Sequence, residues 1–391
     1  MRLAIKLAFR NLIGAGLRTW LNVIVLSFSF VVIIWIKGLM AGWDHQAKKD
    51  MSDYDIGNGQ FWHSGYDPYD PFSLNDSHAP VPAELKTEIS SGDIEPELIV
   101  QGTLYPGGRI QSVLIKGIDP DQRILKLPTQ KMDTVTDAIP AIIGSIMMRD
   151  LKASMGDRIM LRWRDVNGTF DAADIMVVAT FSSNVPAAEA GQVYIPIERL
   201  RKMMSMSDEA TLLTFGRNYA PSSTPAGWVL KTTKELTSSI DEMIRMKSTG
   251  QSILYGILLL LAMLAIFDSQ ILSIFRRQRE IGTYIALGYT RWQVVGLFTV
   301  EGTMYAVFAA ILSALYGLPL LTWQAKAGYT MPMEGSEFGI AMAKTLYPVF
   351  SAGLVVSTVL LVMIVTAIVS YWPSRRIARM NPTDALRGKL Q

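Results

Sequence analysis

Hydrophobic and polar positions divide this chain into two kinds of territory. Four long, predominantly apolar stretches stand out: "WLNVIVLSFSFVVIIWIKGLM" (20–40), "SILYGILLLLAMLAIFDSQILSIF" (252–275), "VVGLFTVEGTMYAVFAAILSALYGLPLL" (294–321) and "LYPVFSAGLVVSTVLLVMIVTAIVSYW" (346–372). Each holds the roughly 20 helical residues that cross ~30 Å of hydrocarbon. Between the first and second lies a long insert of ordinary polar composition. There "LIVQGTLY", "IQSVLIKGID", "RIMLRWRDV", "TFDAADIMVVATF" and "QVYIPI" alternate or are β-branched, which predicts strands. "YPGGR" (105–109) and "VNGT" (166–169) predict hairpin turns. "AIIGSIMMRDLKASMGDR" predicts a helix with a loop at Gly156, and "PIERLRKMMSM" (196–206) a helix with proline in its first turn. Residues 43–80, rich in Asp, Gly, Pro and Tyr, predict turns.

The expected fold is a membrane protein with four transmembrane α-helices and a large α+β extracytoplasmic domain between spans 1 and 2. The expected parts are an amphipathic N-terminal segment (1–19), a first span (20–42), the outer domain (43–250), a second span (251–275), a short loop helix (276–291), a third span (292–321), an outer loop (322–345), a fourth span (346–372) and a tail (373–391). The first span reads as a signal anchor, because its apolar run is long and Trp43, Asp44 and His45 follow where a small-x-small cleavage site would stand. Residues 232–250 predict a stalk helix. Thr232 and Glu235 fit a capping box, and Leu236, Ile240, Met243 and Ile244 share a face. With no proline before 275, stalk and second span can form one helix of about 40 residues, roughly 60 Å long. The competing reading breaks it at Gly250.

Charge sets the orientation. The N-terminal segment (Arg2, Lys6, Arg10, Arg18), the 276–291 loop (Arg276, Arg277, Arg279, Arg291) and the tail (Arg375, Arg376, Arg379, Arg387, Lys389) are basic, whereas 43–250 holds 21 basic and 28 acidic residues, net −7. Short basic segments stay in the cytoplasm. Both termini and the 276–291 loop are therefore expected inside, with the insert and the 322–345 loop outside. The overall +3 hides this split and gives nucleic-acid binding no support.

Catalytic chemistry is absent from the pattern. The chain has no cysteine, which excludes disulfides, thiol nucleophiles and cysteine metal sites. It has no GxSxG and no P-loop. His63, His78, Asp67 and Asp70 could be imagined around a metal, but no ligand spacing supports that, and they read as solvated loop residues. Two carboxylates, Asp268 and Glu301, fall inside spans two and three, roughly 12–14 Å from the cytoplasmic end. An intramembrane carboxylate is costly unless partnered or protonated. Their similar depth allows a shared hydrogen bond or proton, and helix–helix packing is the favoured role. Asn22 and Lys37 can snorkel from opposite ends of span one.

The stretch between spans two and three, "RRQREIGTYIALGYTRWQ" (276–293), is organised as a helix in its own right. Ile281, Tyr284, Ile285 and Leu287 fall toward one side, Gly288 suits a left-handed C′ position, and Thr290 with Gln293 forms a second capping box that opens span three. A capped polar helix between two spans implies something that docks on it; the alternative is an amphipathic turn on the membrane surface.

These residues resemble the signature of the permeases of the FtsX/MacB/LolE type. Arg279, Glu280, Ile281, Gly282, Ala286, Leu287, Gly288 and Glu301 match it. The tail "WPSRRIARMNPTDALRGKL" resembles the family's C-terminal motif through Pro373, Ala378, Pro382, Ala385, Leu386 and Arg387, with Ser374 and Ile377 departing. "LAFRNLIGAGLRTWLNV" resembles its N-terminal segment and "IIGSIMMRDLKASMGDRIMLR" its extracytoplasmic core. The resemblance implies a non-catalytic permease of the bacterial inner membrane, paired with a second permease, the same chain or a paralogue, and with cytosolic ABC ATPase subunits. It implies that Arg279 to Gly288 form the coupling helix, assisted by the tail (Arg375, Arg376, Pro382, Leu386). ATP and Mg would sit on the ATPase; no cofactor and no metal is expected here. The implied substrate is a lipoprotein, lipid or other amphipathic molecule handled at the outer leaflet, with membrane lipid and a periplasmic adaptor or carrier as further partners. The alternative is an FtsX-like signalling scaffold that regulates a cell-wall hydrolase.

Overall fold

The computed structural model describes residues 17–134, 137–183, 186–330 and 345–379. The chain divides into two compact units. One draws on residues up to Gly42, on Ile244–Tyr329 and from Tyr347 onward; the other draws on Trp43–Met243 and Thr330–Leu346.

The first unit is helical. Helices α1 (Leu17–Met51), α4 (Ser238–Arg276), α6 (Arg291–Ala327) and α7 (Ala352–Ser374) are each long and apolar enough to cross a membrane. Their shared core joins Phe30 of α1, Ile266 of α4, Ala306 and Ala309 of α6, and Val362 of α7. Small residues let the helices approach. A Cβ on Gly302 would stand 2.3 Å from Ser370 Oγ and 2.5 Å from Gln270 Nε2, so only hydrogen fits where α6 meets α7 and α4. Asn22 reaches the Ala265 carbonyl at 3.5 Å, and Lys37 donates to Thr358 Oγ1 at 3.4 Å.

Helix α4 spans 39 residues, about 58 Å, and is unbroken at Gly250. The Thr232–Glu235 capping box forms, but it opens a single turn, Thr233–Leu236; α4 itself starts at Ser238. Helix α1 runs nine residues past the expected end of span one, and an irregular turn carries it to Ile56. Trp43 and Ala47 are buried at i, i+4, and Lys48 bridges Asp44 (2.8 Å) and Asp241 (2.5 Å). That spacing makes 43–51 helix where the composition predicted turns.

The second unit is β-rich. Its strands are β1 (Gly59–His63), β2 (Ile94–Tyr105), β3 (Gln111–Ile118), β4 (Ile139–Gly144), β5 (Arg158–Arg164), β6 (Phe170–Phe181), β7 (Gln192–Pro196), β8 (Leu212–Phe215) and β9 (Trp228–Thr232). They pair in the order β9-β1-β8-β2-β3-β7-β4-β6-β5. The far half of β2, Gly102–Tyr105, also pairs with β5, so the last six strands close into a barrel. Alternate side chains fill it, among them Leu98, Val100, Leu104, Val113, Ile115, Leu161 and Trp163. Helices α2 (Ser145–Leu151) and α3 (Ile197–Met204) add Met147, Leu151, Leu200 and Met204 to the same core.

Both expected hairpins form, with left-handed glycines at Gly107, Gly108 and Gly168. The helix expected from Ala141 is a strand up to Gly144 and helix only beyond it. All six residues of β4 are buried, and a short apolar run buried on every side carries no period that separates strand from helix. His63, His78, Asp67 and Asp70 do not converge. His63 Nδ1 accepts from the Gly65 amide, His78 meets Glu209, and the two aspartates cap local turns. Among the described residues no three His, Cys, Asp or Glu side chains are grouped to hold a metal.

Candidate coupling site

The turn between α4 and α6 is built by local chemistry. Helix α5 (Gln278–Ala286) ends in a two-bond glycine cap: the Gly288 amide donates to the Ile285 carbonyl at 3.0 Å and the Tyr289 amide to the Tyr284 carbonyl at 3.1 Å. Gly288 has φ +94°, which L side chains avoid. The rings of Tyr284 and Tyr289 pack across the cap, 5.9 Å apart. One residue later Thr290 and Gln293 form the expected capping box (2.8 and 3.3 Å), and α6 begins. Two helices are thus stopped and started within a few residues.

The other end is held by charge. Arg277 interrupts the helix with φ −105° and turns its guanidinium inward. Nη1 donates to both Glu301 oxygens at 2.7 and 2.9 Å, Nε donates to Glu280 at 2.7 Å, and the group lies 4.9 Å from the Phe298 ring centroid. The Arg277 and Glu301 side chains are only 18% and 12% exposed. One arginine therefore ties the first turn of α5 to the body of α6.

The two faces of α5 differ. Ile281 is fully buried, and it packs with Tyr284 and Ile285 against Ile274, Val294, Val295, Phe298 and Ile377. Gly282 is buried beside it. Arg279, Glu280, Thr283 and Ala286 are exposed, and Leu287 and Trp292 are bare apolar side chains at 72% and 59% exposure. Leu287 thus departs from the side it is expected to share with Ile281, Tyr284 and Ile285. It follows the last helical turn, and the cap rotates it out. The tail's start contributes too: Ile377 is buried in the cluster, Arg291 donates to the Ala378 carbonyl at 3.2 Å, and Arg375 and Arg376 are exposed. Pro382 and Leu386 lie outside the described residues, as do residues 1–16 and 331–344.

Asp268 and Glu301 are not partners. Glu301 spends its carboxylate on Arg277, whereas Asp268 is exposed on α4. Depth along two helices could be read from the residue count; the face each carboxylate occupies could not. Arg277 was missed as a site residue because it reads as one of three membrane-flanking arginines, and its partner lies 24 residues on. The available signal was Glu301 itself, an intramembrane acid that requires a cation.

Residues 252–382 match the family described as FtsX-like permease C-terminal, so this part of the chain is an FtsX-like permease domain. The chain is 26% identical over 155 residues to the macrolide export ATP-binding/permease protein MacB of Sodalis glossinidius, covering 37% of this chain and 21% of the relative. It is 22% identical over 325 residues to the lipoprotein-releasing system transmembrane protein LolC of Xylella fastidiosa, covering 75% of this chain and 76% of the relative. Among solved structures, the periplasmic region of MacB from Actinobacillus actinomycetemcomitans aligns with 48% of this chain and 94% of its own length, at 13% identity and TM-score 0.32.

Proposed function

We propose that the chain is the membrane subunit of an ABC transporter and that α5 is where a separate cytosolic ATPase pushes on it. The observation that carries this is the build of α5: a short helix fixed at one end by a buried ion pair and at the other by a glycine cap, presenting Arg279, Ala286 and Leu287 outward. A rigidly held element can pass a displacement on to α4 and α6 rather than absorb it.

The α5 loop and both termini face the cytoplasm in this reading, as the basic segments require, and the β-rich unit faces outward. ATP and Mg belong to the ATPase, since this chain has no P-loop. The row Ile253, Ile257, Leu260, Leu264 on α4 is exposed and apolar, which suits lipid and a second permease. The substrate class that fits best is a lipoprotein, lipid or other amphipathic molecule, supported by the LolC relative's coverage of three quarters of this chain.

The test is co-purification of the cognate ATPase from membranes. Arg279→Glu and Leu287→Asp change only exposed positions, so both proteins insert normally and lose the ATPase. Wild-type retention in both would sink the proposal. Glu280→Arg sets a second cation against Arg277 and is expected to uncouple ATP hydrolysis from transport while insertion survives.

A further inference from the structure

The β-rich unit contains an open cavity of about 1050 Å³, at the upper end of the range for small-molecule pockets. It lies on the sheet face opposite the barrel interior, over β1, β2, β3 and β8, and segment 51–71 forms its other wall. Trp62, Tyr66 and Tyr69 supply aromatic surface; Trp62 and Tyr66 meet edge to face at 5.0 Å, and Tyr69 is 86% exposed. Ile99, Leu114 and Leu212 give an apolar floor.

The polar groups decide the sign of a ligand. Lys116 is committed: it lies 2.7 Å from Asp55 and 3.7 Å from Glu97. Lys231 already sits over the Trp62 ring at 5.4 Å, so this ring accepts a cation on its face. Glu235 is engaged in its capping box. Asp67 and Asp70 each use one oxygen on a loop amide, at 2.9 and 3.0 Å, and among the described residues neither is in an ion pair. Gln192, more than nine-tenths buried, lines the same cavity, and its oxygen accepts from the Tyr194 hydroxyl at 2.7 Å.

We propose that this cavity binds an organic cation with an apolar, ring-bearing body, held against Trp62, Tyr66 and Tyr69 with its positive charge toward Asp67 and Asp70. Asp67 and Asp70 would repel an anion, and of the two cavity lysines Lys116 is held by Asp55 and Glu97 while Lys231 lies over the Trp62 ring. The inference rests on the β-rich unit alone and stands apart from the role of α5.

The experiment uses the full chain in nanodiscs, with radiolabelled tetraphenylphosphonium as probe and empty discs as background. Tetraphenylborate, the same shape with opposite charge, is the control. Saturable binding of the cation is expected, with the borate failing to displace it. Trp62→Ala should weaken binding about tenfold, from lost cation–π contact and area. Asp67→Asn with Asp70→Asn keeps both oxygens that cap the loop; it should weaken the cation several-fold and abolish discrimination against the borate. No saturable binding above empty discs, equal displacement by the borate, or wild-type affinity in the double variant would each overturn the proposal.

Discussion

Removing either half of the Arg277–Glu301 pair should destabilise the membrane unit far more than a surface ion pair would. The charges meet at 2.7 and 2.9 Å with side chains 18% and 12% exposed. At an effective dielectric of ~20 and a charge separation of ~4 Å, their attraction is about 4 kcal/mol before desolvation is counted. Glu301→Gln leaves Arg277 with Glu280 alone, whose side chain is 55% exposed and offsets no more than about 1 kcal/mol. A single loss is therefore expected to cost about 2–4 kcal/mol, mainly through the stranded charge. Removing both charges, as in Arg277→Gln with Glu301→Gln, strands nothing, so the double variant should cost less than the sum of the singles by about 2 kcal/mol. Reversible unfolding of the purified protein in mixed micelles, run as a double-mutant cycle, reads this coupling. Additivity within ~0.5 kcal/mol would refute the reasoning.

Gly302→Ala drives a methyl group into Ser370 and Gln270 and should cost about 1–3 kcal/mol, seen as a lowered melting temperature in detergent; an unchanged transition would contradict the close approach of α6 to its neighbours. Gly288→Ala should cost about 1 kcal/mol or more through its φ of +94°, and should reduce protection of α5 amides in hydrogen exchange; wild-type protection would contradict the cap. Burial pushes the Glu95 carboxyl up to about 9, so the folded chain holds a proton there that the unfolded chain releases near pH 4.5. Its contribution to stability therefore falls as pH rises between these values. Glu95→Gln, which keeps the oxygen bound by the Asp119 amide, should stabilise the protein by about 4 kcal/mol at pH 7.5 and flatten the pH dependence; a parallel curve would contradict this.

What the sequence disclosed was local. The Thr232–Glu235 and Thr290–Gln293 boxes, the Gly288 cap, the two hairpins and the four apolar helices are each specified within a few residues or by composition, and all appear in the structure. What it concealed depends on packing. The Arg277–Glu301 pair joins residues 24 apart through the side-by-side placement of two helices. Strand β1 hides in a stretch dominated by turn residues, because its place is set by pairing with β8 and β9. The 43–51 extension of α1 was masked by charges that lie on one face, with Trp43 and Ala47 buried on the other.

The claim on which the function depends is that α5 faces the cytoplasm. Because the chain lacks cysteine, one introduced thiol reports its side cleanly. Leu287→Cys, 72% exposed in the wild-type side chain, and Phe72→Cys, 83% exposed, can be probed with a membrane-impermeant maleimide in right-side-out and inverted vesicles. The Leu287→Cys protein should label in inverted vesicles only and the Phe72→Cys protein in right-side-out vesicles only. Labelling of the Leu287→Cys protein in right-side-out vesicles would place α5 on the wrong side for any cytosolic ATPase.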